Sequence, residues 1–145
     1  MQIVDRPAFR VIGLPVTAPW EALWTVMPNA WATFFGRRHE IPGVRTETNM
    51  DISVGHRDGV YEQLIATEVD ANAVPPPGMR ALEVPAHRYL HHWHTGSLAG
   101  IALSFGTMYE WAAAQGIGVD QFKLDMGYTA KGQESEHDLY IRLAD

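Results

Sequence analysis

Three consecutive prolines near the middle of the chain interrupt any regular structure there. They belong to the segment DANAVPPPGMR, residues 70–80, and proline and glycine at this density neither pair within a sheet nor continue a helix. Strands and helices must therefore end before this segment and begin again after it. We expect the chain to be built from two parts, about residues 8–69 and 80–144.

The first part begins with a strand and a helix. The β-branched run AFRVIGLPVT, residues 8–17, predicts the strand. From Trp20 to Phe35 the apolar residues recur at helical spacing, which predicts a helix with one apolar stripe. Pro28 lacks the N–H of a helical residue and clashes with the preceding turn, so we expect the helix to kink or restart there.

Two strands complete the first part. The segment HEIPGVRTETN, residues 39–49, is typical of a loop. Strands are predicted at residues 50–56 and 59–69, and the residues RDG between them indicate a hairpin turn. The first part therefore has the order strand, helix, strand, strand.

The second part repeats this order. Residues 80–94 predict a strand that Pro85 breaks, and Ser97 is suited to cap a helix that ends at Gly116. Two further strands are predicted at residues 121–129 and 138–144. A duplicated βαββ unit indicates an α+β fold, with a mostly antiparallel sheet and two main helices on one face.

The length and composition of the chain restrict the kinds of site it can hold. A chain of 145 residues is the size of one ordinary domain, so we expect a single domain over residues 1–145. No cysteine is present, which excludes disulfides, thiolate metal sites and cysteine nucleophiles. The formal net charge of -6 argues against direct nucleic-acid binding, which depends on clustered lysine and arginine. No apolar segment is long enough to span a bilayer, so we expect a soluble, cytoplasmic protein without a membrane partner.

Four of the seven histidines lie in one strand-like stretch, EVPAHRYLHHWHTGSLAGI. His92 and His94 stand two residues apart and could chelate a metal. Further ligands would have to come from His39, His56 or His137. We favour the alternative that the stretch forms a pocket wall and the entry to a helix, because zinc sites usually include cysteine or carboxylate ligands at recognisable spacing. We therefore expect no metal site and no cofactor.

Several segments resemble the GyrI-like, or AraC-type, effector-binding domain along nearly the whole chain. They are FRVIGLPV, WEALWTVM, ATEVD, VPAHRYLHHWHTG, MYEWAAAQG and DLYIRL. The most specific part is the strand from Pro85 to Gly96, followed by a helix that holds Tyr109, Glu110 and Trp111. The resemblance implies the duplicated βαββ fold, with a curved sheet and a ligand groove between the sheet and the helices.

The resemblance also implies a function. In larger members of the family the domain is fused to a helix-turn-helix module that binds DNA, and it senses lipophilic, often cationic, compounds. Because the first predicted strand starts near residue 8, we expect a stand-alone ligand-binding domain. Its expected partner is a lipophilic cationic small molecule, and the resemblance leaves room for a protein partner such as DNA gyrase or a separate regulator.

A carboxylate that meets the cation in the groove is a further implication of the resemblance. Glu68 in ATEVD and Asp125 in FKLD match by position, although Lys123 stands where the family has a glutamate. Lys123 lies two residues from Asp125 on the same strand face, near enough to pair with it. Glu68 has no basic residue two positions away. We therefore predict that Glu68 is the acid left free to bind a cation, with Asp125 as the alternative.

Aromatic side chains from several elements are predicted to surround the ligand. Their faces attract a cation and supply apolar contact area. Tryptophans at helical spacing serve equally as core residues, and strand alternation alone does not settle which face meets the groove. From the resemblance we expect four rings to contact the ligand: Trp24, Tyr61, Trp93 and Tyr109.

Two other functions fit the resemblance. Some relatives resemble hydrolases that open strained cyclopropane rings of DNA-alkylating compounds, using a groove carboxylate and a tyrosine. Glu68 and Tyr61 would serve here only if a bulge brought them to one face, because positions 61 and 68 have opposite parity in a strand. Other relatives act on DNA gyrase as protein-binding inhibitors. No Ser-His-Asp order, phosphate loop or metal motif is present, so we assign no catalytic residue and favour a binding module over an enzyme.

Overall fold

The structure is a computed structural model that describes residues 1–131 and 136–144. Within these residues the chain forms eight strands, two α-helices and two short 3-10 helices. The strands are β1 (Gln2–Arg6), β2 (Phe9–Pro19), β3 (Val44–Arg57), β4 (Val60–Val69), β5 (Arg80–Val84), β6 (His87–Thr95), β7 (Val119–Tyr128) and β8 (Glu136–Leu143). The α-helices are α1 (Trp20–Arg37) and α2 (Ile101–Gln115), and the 3-10 helices are Arg38–Glu40 and Leu98–Gly100.

The described strands form one antiparallel sheet in the order β1-β6-β8-β7-β3-β4-β2-β5. Each half of the chain supplies a block of three neighbouring strands, and the two blocks meet where β3 pairs with β7. The short edge strands are exchanged between the halves, because β1 pairs with β6 and β5 pairs with β2. The predicted α+β fold with a duplicated order of elements is confirmed.

Three local signals in the sequence act as predicted. Asp58 and Gly59 form the two-residue turn between β3 and β4, with φ of 54° and 78°, the positive values that a tight hairpin turn requires. Pro85 separates β5 from β6. Gly116 ends α2 in the left-handed conformation, with φ of 70°, and its N–H bonds back to the last turn of the helix.

Helix α1 continues through Pro28 as one element, so of the two expected outcomes, a kink or a restart, the restart does not occur. Met27 and Trp31, on either side of the proline, pack together with Phe34 against the same hydrophobic cluster. Because helix stability in proteins comes mainly from a packed apolar face, this contact holds both turns in one helix.

The predicted loop at residues 39–49 is wrong in its second half, because β3 begins at Val44. The residues there are polar and show no alternating apolar pattern. Arg38 organises them through hydrogen bonds from Nε to Asn49 Oδ1 at 2.7 Å and from Nη2 to the Thr46 carbonyl at 2.6 Å. Strand β1 is also not predicted from the sequence, because its partner β6 lies in the other half of the chain.

Hydrophobic side chains cover both faces of the sheet. On one face α1 packs over Ile65 and α2 packs over Leu139. On the other face Val11 of β2 and Tyr89 of β6 belong to a single buried cluster, although their strands are far apart in the sheet order. The sheet is therefore curved, and the two helices lie beside each other on its other face. Among the described residues, no helix is both long and apolar enough to cross a lipid bilayer.

Candidate functional site

A cavity of about 730 Å³ lies between α1 and α2, above the central strands of the sheet. Both helices form its walls, and β3, β4 and β7 form its floor. Aromatic rings dominate the described lining: Trp20, Trp24, Trp31, Phe35, Tyr61, Phe105, Tyr109 and Tyr128. The charged side chains of that lining are Asp51, Lys123 and Asp125. Pockets of this size, mostly apolar with a few polar groups, are typical of small-molecule binding sites.

The two acids on the floor are direct neighbours across the central strand pair. Asp51 of β3 is in register with Asp125 of β7. Directly paired residues of an antiparallel sheet place their side chains on the same face, with Cβ atoms about 5 Å apart. One carboxylate from each half of the chain therefore reaches the middle of the cavity floor.

Each acid accepts a hydrogen bond from the next strand outward. Gln63 of β4 donates from Nε2 to Asp51 Oδ1 at 2.9 Å. Nδ1 of His137 on β8 lies 2.6 Å from Asp125 Oδ1 and donates to it when the acid is ionised, because a carboxylate can only accept. Each donor lies two residues before the direct strand partner of its acid. The duplicated fold thus repeats one arrangement of acid and donor.

Asp125 is held in place by two short hydrogen bonds. Besides His137, Tyr128 donates its hydroxyl to Asp125 Oδ2 at 2.6 Å. The side chain of Asp125 is 7% exposed, and that of His137 is fully buried. Short hydrogen bonds to a carboxylate are strong and directional, so they orient Asp125 at the cavity floor.

Asp51 titrates near neutral pH. Burial raises its pKa to about 7, and the neighbouring charge of Asp125 adds to the increase. The hydrogen bond from Gln63 and the charge of Lys123 act in the opposite direction. Asp51 lines the cavity, so an acid that changes its charge close to pH 7 is in direct reach of a bound molecule.

Lys123 is the third charged group on the floor. Its Nζ lies 5.8 Å from the ring centre of Phe105 and 5.7 Å from that of Tyr109. Burial lowers the pKa of Lys123, and the charges of Asp51 and Asp120 oppose this decrease. The predicted pairing of Lys123 with Asp125 is not formed, because the described partners of that acid are His137 and Tyr128.

Aromatic side chains hold both walls of the cavity in place through their contacts with the rest of the protein. On the α1 side, the ring centre of Trp31 lies 4.4 Å from that of Tyr128 and 5.3 Å from that of Phe35, and both pairs are stacked. On the α2 side, Tyr109 donates its hydroxyl to the Asp120 carbonyl at 3.1 Å. Burial raises the pKa of Tyr109 to about 12, so its hydroxyl remains a neutral donor.

The structure brings together four of the six residues that the sequence suggests as ligand contacts. The four that line the cavity are Trp24, Tyr61, Tyr109 and Asp125. Trp93 lies outside it: this residue of β6 is half exposed, and by strand alternation it shares the face of Tyr89, away from the helices. Contact of the four with a ligand stays a prediction.

Glu68 also lies outside the cavity. The pairing of β4 with β2 shows no register shift between Val60 and Val69, so Glu68 and Tyr61 point to opposite faces. Arg45 Nε lies 3.6 Å from the Glu68 carboxylate, so the inference that this acid is left without a basic partner is wrong. The pair of Glu68 and Tyr61 that hydrolysis would require does not come together.

Two polar residues of the site, Asp51 and Gln63, are not singled out by the sequence patterns, and His137 is considered there only as a further metal ligand. A local signal exists for Asp51, because in MDISV it alternates with apolar residues and must lie on the opposite face of the strand. Its position beside Asp125 and the two hydrogen-bond donors depend on other strands, which no local pattern reveals.

His91 and His94 of β6 make hydrogen bonds within the protein. His94 is buried, with Nδ1 at 2.7 Å from Ser104 Oγ and Nε2 at 3.0 Å from the Ser97 carbonyl, so it ties the end of β6 to the start of α2. His91 Nε2 lies 2.7 Å from Asp138 Oδ1. Across residues 1–131 and 136–144, no three histidine, aspartate or glutamate side chains are grouped to hold a metal ion.

Several solved structures have the same fold. A putative transcription regulation protein of Staphylococcus aureus MU50 is similar with a TM-score of 0.70 at 9% identity, over 99% of this chain and 97% of the other. SAV2435 bound to tetraphenylphosphonium has a TM-score of 0.70 at 10% identity, over 99% and 93% of the chains. The C-terminal domain of EcmrR has a TM-score of 0.72 at 10% identity, over 99% and 96%. At such low identity these similarities show the fold alone.

Sequence similarity is closer to the transcriptional regulator BrlR of Pseudomonas aeruginosa, which is 32% identical over 149 residues. The match covers 97% of this chain and 54% of BrlR, so the chain spans about half the length of that relative. Residues 1–143 match the family described as the GyrI-like small-molecule binding domain, as the resembling segments of the sequence indicate. The chain therefore belongs to the family of GyrI-like small-molecule binding domains.

Proposed function

We propose that the chain binds lipophilic organic cations in the cavity between α1 and α2. The observation that carries this proposal is the Asp51–Asp125 pair, two carboxylates side by side under walls of aromatic rings. The rings favour an apolar ligand, and the carboxylates favour a positive charge on it. SAV2435, which shares the fold, is bound to tetraphenylphosphonium, a cation of this class.

A cation gains more in this cavity than a neutral molecule of the same shape. Two adjacent carboxylates repel each other, and a positive charge placed above them relieves that repulsion. A cation over an aromatic face gains about 0.5–1 kcal/mol at an exposed site and about 2 kcal/mol when it is desolvated. The acids and the rings therefore act in the same direction.

A role in transcription regulation is part of the proposal. BrlR is a transcriptional regulator, and this chain corresponds to about half of it. The same fold is found in EcmrR, whose structure in complex with DNA covers more than this region. Ligand occupancy of the cavity would then be transmitted to a module or partner that contacts DNA.

Titration with methyltriphenylphosphonium and its neutral analogue triphenylphosphine oxide tests the proposal. Both molecules have three phenyl rings on phosphorus, and only the first is charged. Tryptophan fluorescence reports binding because Trp20, Trp24 and Trp31 line the cavity. We expect saturable quenching by the cation at lower concentration than by the oxide. Equal affinities would contradict cation selectivity, and no saturation with either compound would remove the proposal.

Replacing Trp24 with alanine is expected to weaken the binding of methyltriphenylphosphonium by about 1 kcal/mol, roughly fivefold in affinity. Trp24 lines the cavity with 61% of its surface exposed, so its removal takes away a ring contact and little core packing. Trp93→Ala is the matched control, because Trp93 is 50% exposed and lies outside the cavity. Calorimetric titration measures both variants, and an equal loss in the two would place the ligand elsewhere.

Cation affinity is expected to rise with pH through about 7. Asp51 is neutral below its pKa of about 7 and charged above it, and only the charged form attracts the ligand. Between about pH 6 and pH 8 its ionised fraction increases about tenfold, so affinity should increase by up to about tenfold. The charged groups that face Asp51 are Asp125 and Lys123, both on β7.

Two controls isolate this titration. In Asp51→Asn the affinity for the phosphonium cation should no longer change with pH. The affinity of the wild type for triphenylphosphine oxide should not rise with pH either. Fluorescence titrations at several pH values give all three profiles. A wild-type affinity that stays constant across the range would show that Asp51 does not contact the bound charge.

A further inference from the structure

Lys123 places a basic side chain inside the proposed cation site. It belongs to β7, in register with Ser53 of β3, and lines the cavity floor two residues from Asp125. Its Nζ lies 5.8 Å and 5.7 Å from the ring centres of Phe105 and Tyr109. Both distances are within the range of about 6 Å over which a cation is attracted to an aromatic face. The ring pair of α2 therefore already holds a cation that belongs to the protein.

The two sides of the cavity are unequal as a result. The α1 wall presents Trp24, Trp31 and Phe35, and Lys123 is the one basic side chain in the described lining. A ligand meets the exposed ring of Trp24 on the α1 side, where Trp31 is already stacked on Phe35 and Tyr128, and an ammonium group on the α2 side. Its positive charge is therefore directed to the acids and to the rings of α1.

The charges of the floor can balance one added positive charge. Asp51 and Asp125 together carry at most two negative charges, and Lys123 carries one positive charge. A bound monocation completes the balance. A second positive charge would remain uncompensated in a partly desolvated cavity, where repulsion between like charges is much stronger than in water.

We propose that Lys123 restricts the site to ligands with a single positive charge. The inference rests on the proposed function and specifies its ligand class: aromatic monocations, with dications of the same shape excluded. Lys123 acts by filling the ring pair of α2 and by repelling a second charge, which makes it a specificity-determining residue.

A matched pair of flat ions tests this inference. The N-methyl phenylpyridinium ion and methyl viologen have the same two-ring length, and they carry one and two positive charges. In calorimetric titrations we expect the wild type to prefer the monocation by about tenfold or more. In Lys123→Met the preference should fall to about threefold or less, mainly because the dication binds more tightly.

Three variants serve as controls. Lys123→Arg keeps the charge and should keep the preference. Lys131→Met removes the other lysine of the chain, at an exposed position, and should leave the preference unchanged although the net charge changes equally. Lys123→Gln is a second neutral variant, and thermal unfolding of each protein shows that it is folded.

Several results would overturn the inference. One is an unchanged preference in both neutral Lys123 variants, and another is a wild type that binds the two ions equally. A preference that also collapses in Lys131→Met would assign the effect to net charge. A fourth concerns a carboxyphenyl analogue of the monocation. If this analogue binds to the wild type more tightly than either ion, and its affinity falls in Lys123→Met, then Lys123 serves to bind an anionic group. If no cation binds at all, including methyltriphenylphosphonium, the proposed function itself fails.

Discussion

Replacing Asp51 and Asp125 together with asparagine is expected to abolish the preference for a cation over its neutral analogue. A hydrogen bond or contact to a charged group contributes about 1.5–3 kcal/mol, and both acids act on the same ligand charge. Because neighbouring residues couple, the two losses will not simply add. We expect the binding free energy of methyltriphenylphosphonium to fall by at least about 2 kcal/mol, roughly thirtyfold in affinity. The affinity for triphenylphosphine oxide should change little.

The chain offers a matched double control for this experiment. Glu68 and Asp70 both pair with Arg45, at 3.6 Å and 3.7 Å, and neither lines the cavity. Glu68→Gln with Asp70→Asn removes two negative charges outside the site and should change cation affinity by no more than about twofold. Calorimetry on both double variants gives the comparison, after thermal unfolding shows that they are folded. Selectivity lost only in the Glu68 and Asp70 variant would move the site to the other face of the sheet.

Replacing Gly13 with alanine is expected to destabilise the fold by about 3 kcal/mol or more. Gly13 lies within β2, paired with Ala66 of β4 and with Arg80 of β5. A Cβ atom at Gly13 would lie 1.9 Å from the Ile65 carbonyl oxygen and 2.6 Å from Ala66 Cα. These obstacles are backbone atoms, so no side-chain rotation relieves the clash, and the strands must separate.

Gly55→Ala is the control for this prediction. Gly55 also lies in a strand, β3, but a Cβ atom there would meet no atom within 4 Å. We expect its effect on the free energy of unfolding to stay within about 0.5 kcal/mol. Urea unfolding of the two variants measures the difference. Equal midpoints would mean that β2 and β4 can move apart without cost, and that their close approach is not required for the fold.

Much of the fold could be predicted because it depends on short-range patterns. The Asp58–Gly59 turn, the break at Pro85 and the end of α2 at Gly116 each follow from the backbone conformations that one or two residues allow. Features that depend on distant contacts could not be predicted in this way. Residues 44–49 join a strand because Arg38 binds their polar groups, and α1 passes through Pro28 because a shared core holds both turns.

The lining of the candidate site could be predicted only in part. Rings and acids were expected to meet in one cavity, and Trp24, Tyr61, Tyr109 and Asp125 do line a cavity, whereas binding of a cation there stays a prediction. Glu68 shows the limit of the argument. No basic residue stands two positions from it along the chain, yet Arg45 reaches it from another strand.

The sequence by itself determined the order of the elements from β2 onward, the antiparallel α+β fold and the family. Only the tertiary structure decided that Asp51 stands beside Asp125, that Gln63 and His137 support them, and that Lys123 lies under the rings of α2. The physical reason is one of range. Periodicity and turn chemistry act over a few residues, whereas strand register joins residues from different halves of the chain, and a shift of one position would send every one of these side chains to the other face.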